Sequence, residues 1–285
     1  KDMVQKFVAA CIQNCATPDV EADIAILAKL VGKAGAEGAS LIALPEYCAG
    51  LDTKSGMLHP FAVPESDHPV LPAMAALARA HKAWILIGSI GIKAADGRIF
   101  NRSYMLAPDG AIAARYDKIH MFDVDLGDGH FYRESATIMP GSEAVLSPCI
   151  GGPVGLSICY DLRFAALYRT LAKAGAQMLA VPAAFTRITG QAHWHILNRA
   201  RAIENGAYVI APCQYGTLAG GSECYGHSLI IDPWGQVLAD GGENEGVIFA
   251  EIDLAEVSKT RGRIPSLTHD RPFTIETLVP AVAAE

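Results

Sequence analysis

The feature that most constrains the fold is an alternation of short apolar runs with longer stretches whose apolar residues fall at helical spacing. "MVQKFVAACIQ" reads as a strand, and "TPDVEADIAILAKLVGKAGAEGA" follows it with Thr17 as the cap, Pro18 in the first turn and Ile24, Leu27, Leu30 and Val31 on one helical face. "SLIALPEY" is a short buried strand, "PAMAALARAHKA" the next helix and "WILIGSI" the next strand, so the first ninety residues alternate β-α-β-α-β. "FNRSYMLAPDGAIAARYDK" carries alternating apolar positions on both sides of a Pro-Asp-Gly turn, which predicts a hairpin.

The second half repeats the scheme. "PVGLSICYD", "QMLAVPAAF" and "AYVIAPCQ" read as strands, separated by the helices "LRFAALYRTLAKAGA" and "QAHWHILNRARAIENG", the latter closed by a C-terminal Gly. "GHSLIIDPWGQVLAD" is a second hairpin and "GVIFAEIDL" a last long strand. Two β-α-β halves, each with a hairpin, predict an α/β fold of two sheets covered outside by helices. One doubly wound sheet is the alternative, and the antiparallel strands implied at Asp109-Gly110 and Pro233–Gly235 weigh against it. No Pro/Ser-rich linker or charge run divides the chain, so residues 1–285 are expected to form one domain.

Composition narrows the partners. A net charge of -7 argues against nucleic acid, which needs clustered Lys and Arg. No apolar run approaches the roughly 20 residues of a membrane helix, so a soluble protein is expected. Seven cysteines, an odd count without CxxC spacing, and an N-terminal stretch lacking a signal-peptide pattern predict free thiols in a reducing cytoplasm.

Three apolar runs end in a reactive side chain: "LIALPE" in Glu46, "AIAARYDK" in Lys118 and "VGLSIC" in Cys159. Strand ends of α/β folds line clefts, so residues far apart in sequence can converge there. The three types are complementary. A carboxylate shielded from water can take a thiol's proton, which assigns Glu46 as base and Cys159 as nucleophile. Attack on an amide or nitrile carbon builds negative charge that Lys118 and the backbone N–H of Tyr160 can hold, at about 3 to 4 kcal/mol per donor. A Cys159 that opens a helix would also sit where backbone dipoles favour thiolate.

"LPEY", "RYDKIHMFDVD" and "SICYDLRF" resemble the three signatures of the nitrilase superfamily, carbon–nitrogen hydrolases with a Glu-Lys-Cys triad, and the resemblance runs over nearly the whole chain. "TGQAHWHILNRARAIEN" and "YGHSLIIDPWG" resemble its Nit-type branch, which holds the omega-amidases and deaminated-glutathione amidases. The resemblance implies an α-β-β-α sandwich that forms four layers as a dimer, thioester chemistry without a cofactor, and a homodimer or higher oligomer using the helix after the nucleophile and the C-terminal segment. The tail "LVPAVAAE" is read as an interface arm or frayed end. It further implies a second glutamate, Glu134 in "YRESATIMPG", that orients Lys118 or the substrate amide, a structural ion pair being the other reading. Nitrilases of the family usually carry Cys-Trp-Glu and carbamoylases Cys-Asn-Asp. Cys159-Tyr160-Asp161 therefore favours an amide.

Both branch activities use carboxylate-bearing amides, so an arginine near the pocket is expected, Arg187 first, with Arg163 and Arg133 as others. Thr186 and Phe185 are expected to line the pocket, and Tyr47 and Tyr160 to stack on the substrate or close the core. The implied substrates are deaminated glutathione first and 2-oxoglutaramate second. An N-carbamoyl amino acid or nitrile hydrolase is the alternative, and a catalytically silent binding protein would be expected to have lost part of the triad.

Rival motifs are weaker. "DVDLGDGHFYRE" imitates a calcium loop through Asp123, Asp125 and Glu134, but Gly127 and Asp128 depart from it. His193 and His195 at i, i+2 do not share a helical face and no HExxH or paired CxxC accompanies them, so with His120 and His227 they are read as capping and packing residues and no metal is assigned. "GLSIC" holds half a G-x-S-x-G elbow, with Cys159 where the second Gly belongs, so Ser157 is read as strand interior.

Overall fold

The structure, a computed structural model, describes residues 6–54, 57–127, 129 and 131–276. An eight-stranded sheet runs in the order Ile138–Met139, Ile99–Leu106, Trp84–Lys93, Ala39–Ala43, Lys6–Gln13, Gly246–Asp253, with Ile112–Asp117 and Ala62–Val63 added at its flank. A six-stranded sheet runs Leu146–Ser147, Val154–Gly155, Met178–Ala180, Tyr208–Ala211, Leu229–Ile231, Val237–Asp240. Both sheets are mixed: Lys6–Gln13 pairs parallel with Ala39–Ala43 and antiparallel with Gly246–Asp253. The expected hairpin forms with Arg102 opposite Asp117, and the second pairs Leu229–Ile231 with Val237–Asp240.

Side-chain alternation explains the layers, because successive strand residues point to opposite faces. From Lys6–Gln13, Ala10 and Ile12 pack with Leu27, Leu30 and Val31 of helix Val20–Ala36 and Met74 of helix Val70–His81. Ala9 and Cys11 face the other way, into an apolar core shared with Leu179, Val209 and Ile230 of the second sheet. The Cys11 thiol donates across this core to the carbonyl of Leu229 at 3.8 Å. Helices Ala165–Lys173 and His195–Asn205 pack on the second sheet, which completes the α-β-β-α sandwich.

Several element ends differ from expectation for local reasons. The first helix is capped by Asp19, whose carboxylate accepts from the N–H groups of Glu21 and Ala22 at 3.1 Å; Thr17, the expected cap, instead binds the buried Asp23 carboxylate. "PVGLSICYD" pairs only through Val154–Gly155 before the chain turns, so the helix after the nucleophile begins at Ala165, beyond a 3-10 turn over Cys159–Arg163. Helix Ala255–Arg263 follows the last strand and was not foreseen, since its interior carries only Val257 and Thr260 as buried residues. The "LVPAVAAE" tail lies outside the described residues. Among those residues no helix is long and apolar enough to cross a membrane.

Candidate active site

Four of the sequence-singled residues meet at the C-terminal ends of strands from both sheets. Glu46 lies just past Ala39–Ala43 in a loop clasped from two sides. Ser89 receives the N–H of Tyr47 on its hydroxyl at 2.9 Å and that of Cys48 on its carbonyl, and Gln214 donates to the carbonyls of both Glu46 and Tyr47 at 2.8 Å. The clasp needs a glycine at 88. The strand Trp84–Lys93 is irregular between Ile87 and Ile90, and a Cβ on Gly88 would collide with the backbone carbonyls of Leu44 and Pro45.

Lys118 is the residue after strand Ile112–Asp117 and reaches inward, where its ammonium contacts Glu46 Oε1 at 3.0 Å and both Glu134 oxygens at 3.0 and 2.8 Å. Glu134 ends the hairpin formed by Asp123–Asp125 and Phe131–Arg133 and accepts the N–H of Phe122 at 2.7 Å. Asn101 ties the carboxylates together by donating to Glu46 at 2.8 Å and Glu134 at 3.3 Å. The N–H of Ala184 occupies the other Glu46 oxygen at 2.8 Å. Glu46 and Lys118 are each 1% exposed and Glu134 4%, so one cation and two carboxylates share a site almost without water.

Cys159 sits on an elbow. Its φ of 49° is left-handed, a conformation that costs a non-glycine residue about 1–2 kcal/mol, and the neighbours hold it there. Its N–H donates to the carbonyl of Pro182 at 2.8 Å. Asp161 anchors the turn by accepting from the Ile158 N–H at 2.9 Å, the Tyr116 hydroxyl at 2.6 Å and the His120 N–H at 3.1 Å.

The electrostatics follow from burial. The Cys159 thiol is pushed well above its usual range, first by burial and then by the Glu46 charge, with Lys118 pulling the other way. Any dipole of the short turn is outweighed, and the sulfur stays protonated at rest. For Lys118 burial is the largest influence and opposes the charge, yet Glu134 and Glu46 together raise its pKa well above the ordinary value. Burial also raises Glu134, against the pull of Lys118.

Glu46, Lys118 and Cys159 floor a cavity of about 40 Å³ walled by Phe122, Tyr132, Tyr160 and Phe185, with Thr186 at its rim. Tyr132 and Thr186 also line a second hollow of about 270 Å³ that includes Arg187, Gly220 and Gly221. Tyr160, Phe185 and Thr186 therefore reach the cavity and Arg187 its extension, where the guanidinium lies 3.4 Å from Glu243. Tyr47 does not line the cavity: its ring is fully buried against Ala16, Leu51 and Leu218, so of its two expected roles the structure places it in the one that closes the core. Arg163 lies over the rings of Tyr160 and Phe185, and Arg133 is exposed on the hairpin beside Asp123 and Asp125. The calcium reading fails on placement. The Asp123 carboxylate binds Ser135 while Glu134 turns into the buried cluster; Asp128 lies outside the described residues. Ser157 donates to the Ala180 carbonyl at 2.7 Å, inside the core.

Asn101, Phe122, Tyr132, Asp161 and Ala184 were missed. Asn101 stands in the polar Asn-Arg-Ser centre of its hairpin strand, which does not single it out; the Ala184 and Phe122 contacts are made by backbone or by a ring, which residue type does not announce.

A buried acid–ammonium–thiol floor at the ends of two facing sheets defines a hydrolytic enzyme, and the comparison with known proteins says which. Residues 8–262 match the carbon–nitrogen hydrolase family, to which the chain belongs. It is thus a hydrolase acting on carbon–nitrogen bonds other than peptide bonds. It is similar to the deaminated glutathione amidase of Synechocystis sp. (40% identical, covering 93% of this chain and 98% of that protein) and to that of Rattus norvegicus (37%, covering 96% and 85%). Among solved structures it resembles Saccharomyces cerevisiae Nit3, a member of branch 10 of the nitrilase superfamily (30% identical, TM-score 0.83, covering 96% of this chain and 99% of that one).

Proposed function

We propose that this enzyme hydrolyses a carboxylate-bearing amide to the acid and ammonia through a thioester on Cys159, with deaminated glutathione as first substrate and 2-oxoglutaramate as second. The observation that carries the reading is the waterless cluster in which Glu46 contacts the Lys118 ammonium at 3.0 Å and both share the floor of one small cavity with Cys159. With one cation against two carboxylates, a thiolate whose proton had left the cluster would add a further uncompensated negative charge at low dielectric. The proton must stay inside, and Glu46, on the same cavity floor as Cys159, is the acceptor the reading assigns.

As Glu46 takes the proton, sulfur bonds to the amide carbon and the carbonyl electron pair moves onto oxygen. Lys118 and the Tyr160 N–H receive that charge. Two of the three Lys118 contacts run to Glu134, so releasing one frees an ammonium donor for the oxyanion while Glu134 keeps the side chain aimed. Collapse breaks the carbon–nitrogen bond and Glu46 returns its proton to the leaving ammonia. Water then gives a proton to Glu46 and its oxygen to the thioester, and the released sulfur recovers the proton. The small cavity suits the reacting amide end, while the hollow beside it takes the remainder, with Arg187 facing the distal carboxylate.

The experiment is ammonia release from deaminated glutathione, 2-oxoglutaramate, a simple aliphatic amide, an N-carbamoyl amino acid and a nitrile. The highest kcat/KM on one of the first two supports the reading; preference for the carbamoyl compound or the nitrile overturns it. The same reading takes residues 1–285 as one catalytic unit working in the cytoplasm as a homo-oligomer.

A further inference from the structure

The zinc reading set aside in sequence considered the wrong pair. His193 turns to Arg163 and His120 to Asp161, but His195 and His227, thirty-two positions apart, converge on Asp240. His195 Nε2 lies 2.9 Å from Asp240 Oδ2 and His227 Nδ1 lies 2.8 Å from Asp240 Oδ1, and the three ligand atoms fall within 4.8 Å of one another. They come from the start of helix His195–Asn205, the segment before strand Leu229–Ile231 and the end of strand Val237–Asp240.

The arrangement is held from outside. His227 has a left-handed φ of 52°; its N–H donates to the Gly242 carbonyl at 2.6 Å, its carbonyl accepts from the Trp194 indole at 2.7 Å, and the Tyr225 ring stacks on its imidazole at 4.5 Å. Gly242 N–H fixes the carboxylate at 2.9 Å. Between 22% and 35% of each side chain remains exposed, which leaves solvent free to complete a coordination sphere.

We propose that His195, His227 and Asp240 bind one divalent transition cation of the zinc class. Two imidazoles and one carboxylate select zinc, cobalt, nickel or copper over calcium and magnesium, which favour oxygen. Binding exchanges two hydrogen bonds for two nitrogen–metal bonds: each ring moves its proton through solvent to its other nitrogen, Nδ1 of His195 and Nε2 of His227, and the carboxylate supplies the anionic ligand. The cation staples the start of the His195 helix to the end of the second hairpin. Trp194, the residue before that helix, packs on Phe185 of the cavity wall, so loading stiffens the wall without touching the reacting atoms.

The test uses tag-free protein carrying Cys159→Ala together with Cys15→Ser and Cys149→Ser, which removes the nucleophile and the two partly exposed thiols that could compete for metal and is silent in turnover, so its outcome is independent of the hydrolytic reading. Titration with Zn²⁺ by calorimetry and with Co²⁺ by visible absorption is expected to show one saturable equivalent and a rise in melting temperature. His195→Ala, Asp240→Asn and His227→Asn, the last tolerant of a left-handed backbone, are each expected to raise Kd about tenfold or more and abolish the thermal gain. No saturable uptake by the parent at millimolar metal, or an unchanged Kd in the folded variants, overturns the site.

Discussion

A buried ammonium held between two carboxylates makes the centre electrostatically brittle, and this separates the residues that build it from the proposed nucleophile. Replacing Lys118 with Met leaves Glu46 and Glu134 facing each other at low dielectric, and breaking a buried ionic group this way costs about 3–5 kcal/mol. Cys159→Ala removes no charge and is expected to change stability by about 1 kcal/mol or less, while lowering kcat roughly 10⁴-fold or more. Urea unfolding beside ammonia release checks both; a Cys159→Ala enzyme that still turns over, or a Lys118→Met protein as stable as the parent, contradicts the assignment. At this scale the sequence was legible where chemistry ends an apolar run, as at Glu46, Lys118 and Cys159. It was not legible where a backbone N–H does the work, as at Ala184, or where an ordinary core position takes a suggestive residue, as at Tyr47.

Elements position these groups through close backbone approaches, which alternation of apolar runs cannot reveal. The run "WILIGSI" was readable as a strand, but not the irregularity at Gly88 that lets it clasp the Glu46 loop. Gly88→Ala must push Leu44 and Pro45 away, since backbone cannot rotate aside. A displacement near 1 Å at Glu46 is expected to lower kcat/KM by about 100-fold, with about 1–3 kcal/mol lost from overpacking. Activity close to parental would show that the loop is positioned otherwise. A second element-level device is His68, at the start of helix Val70–His81, 1% exposed and edge-on to Phe61. Burial holds its pKa at about 4, below the ordinary 6.5. The unfolded chain therefore takes up this proton before the folded one, so the neutral ring's contribution is complete above pH 6.5 and is lost as pH falls toward 4, by about 3 kcal/mol at most. In His68→Leu the slope of unfolding free energy against pH should flatten in that window; an unchanged slope removes His68 as its source.

At the scale of the whole molecule, the two-sheet reading was legible because both hairpin turns carry Pro and Gly, while the exposed surface available to the proposed homo-oligomer was less so. Helix Ala165–Lys173, expected at the interface together with the C-terminal segment, buries Leu167, Tyr168, Leu171 and Ala172 within its own chain, while Phe273 and Ile275 of that segment are each 87% exposed. Further exposed apolar side chains lie on the next helix and the second hairpin: Ile196 is 69% exposed, Ile203 52% and Trp234 54%. They adjoin one another, for Arg199 donates to the Gly235 carbonyl at 2.8 Å beside Ile203, and Arg263 lies over the Trp234 ring at 5.9 Å. An exposed apolar patch of this kind can meet its own copy about a two-fold axis, where apolar faces apolar. Ile203→Glu would bury a charge in the apolar contact and is expected to shift the protein to monomers in light scattering at micromolar concentration. Its circular dichroism should stay unchanged, since the side chain fills no core. A mass identical to the parent's would move the interface elsewhere. A parent that is itself monomeric would leave this face to solvent and end the homo-oligomer proposal.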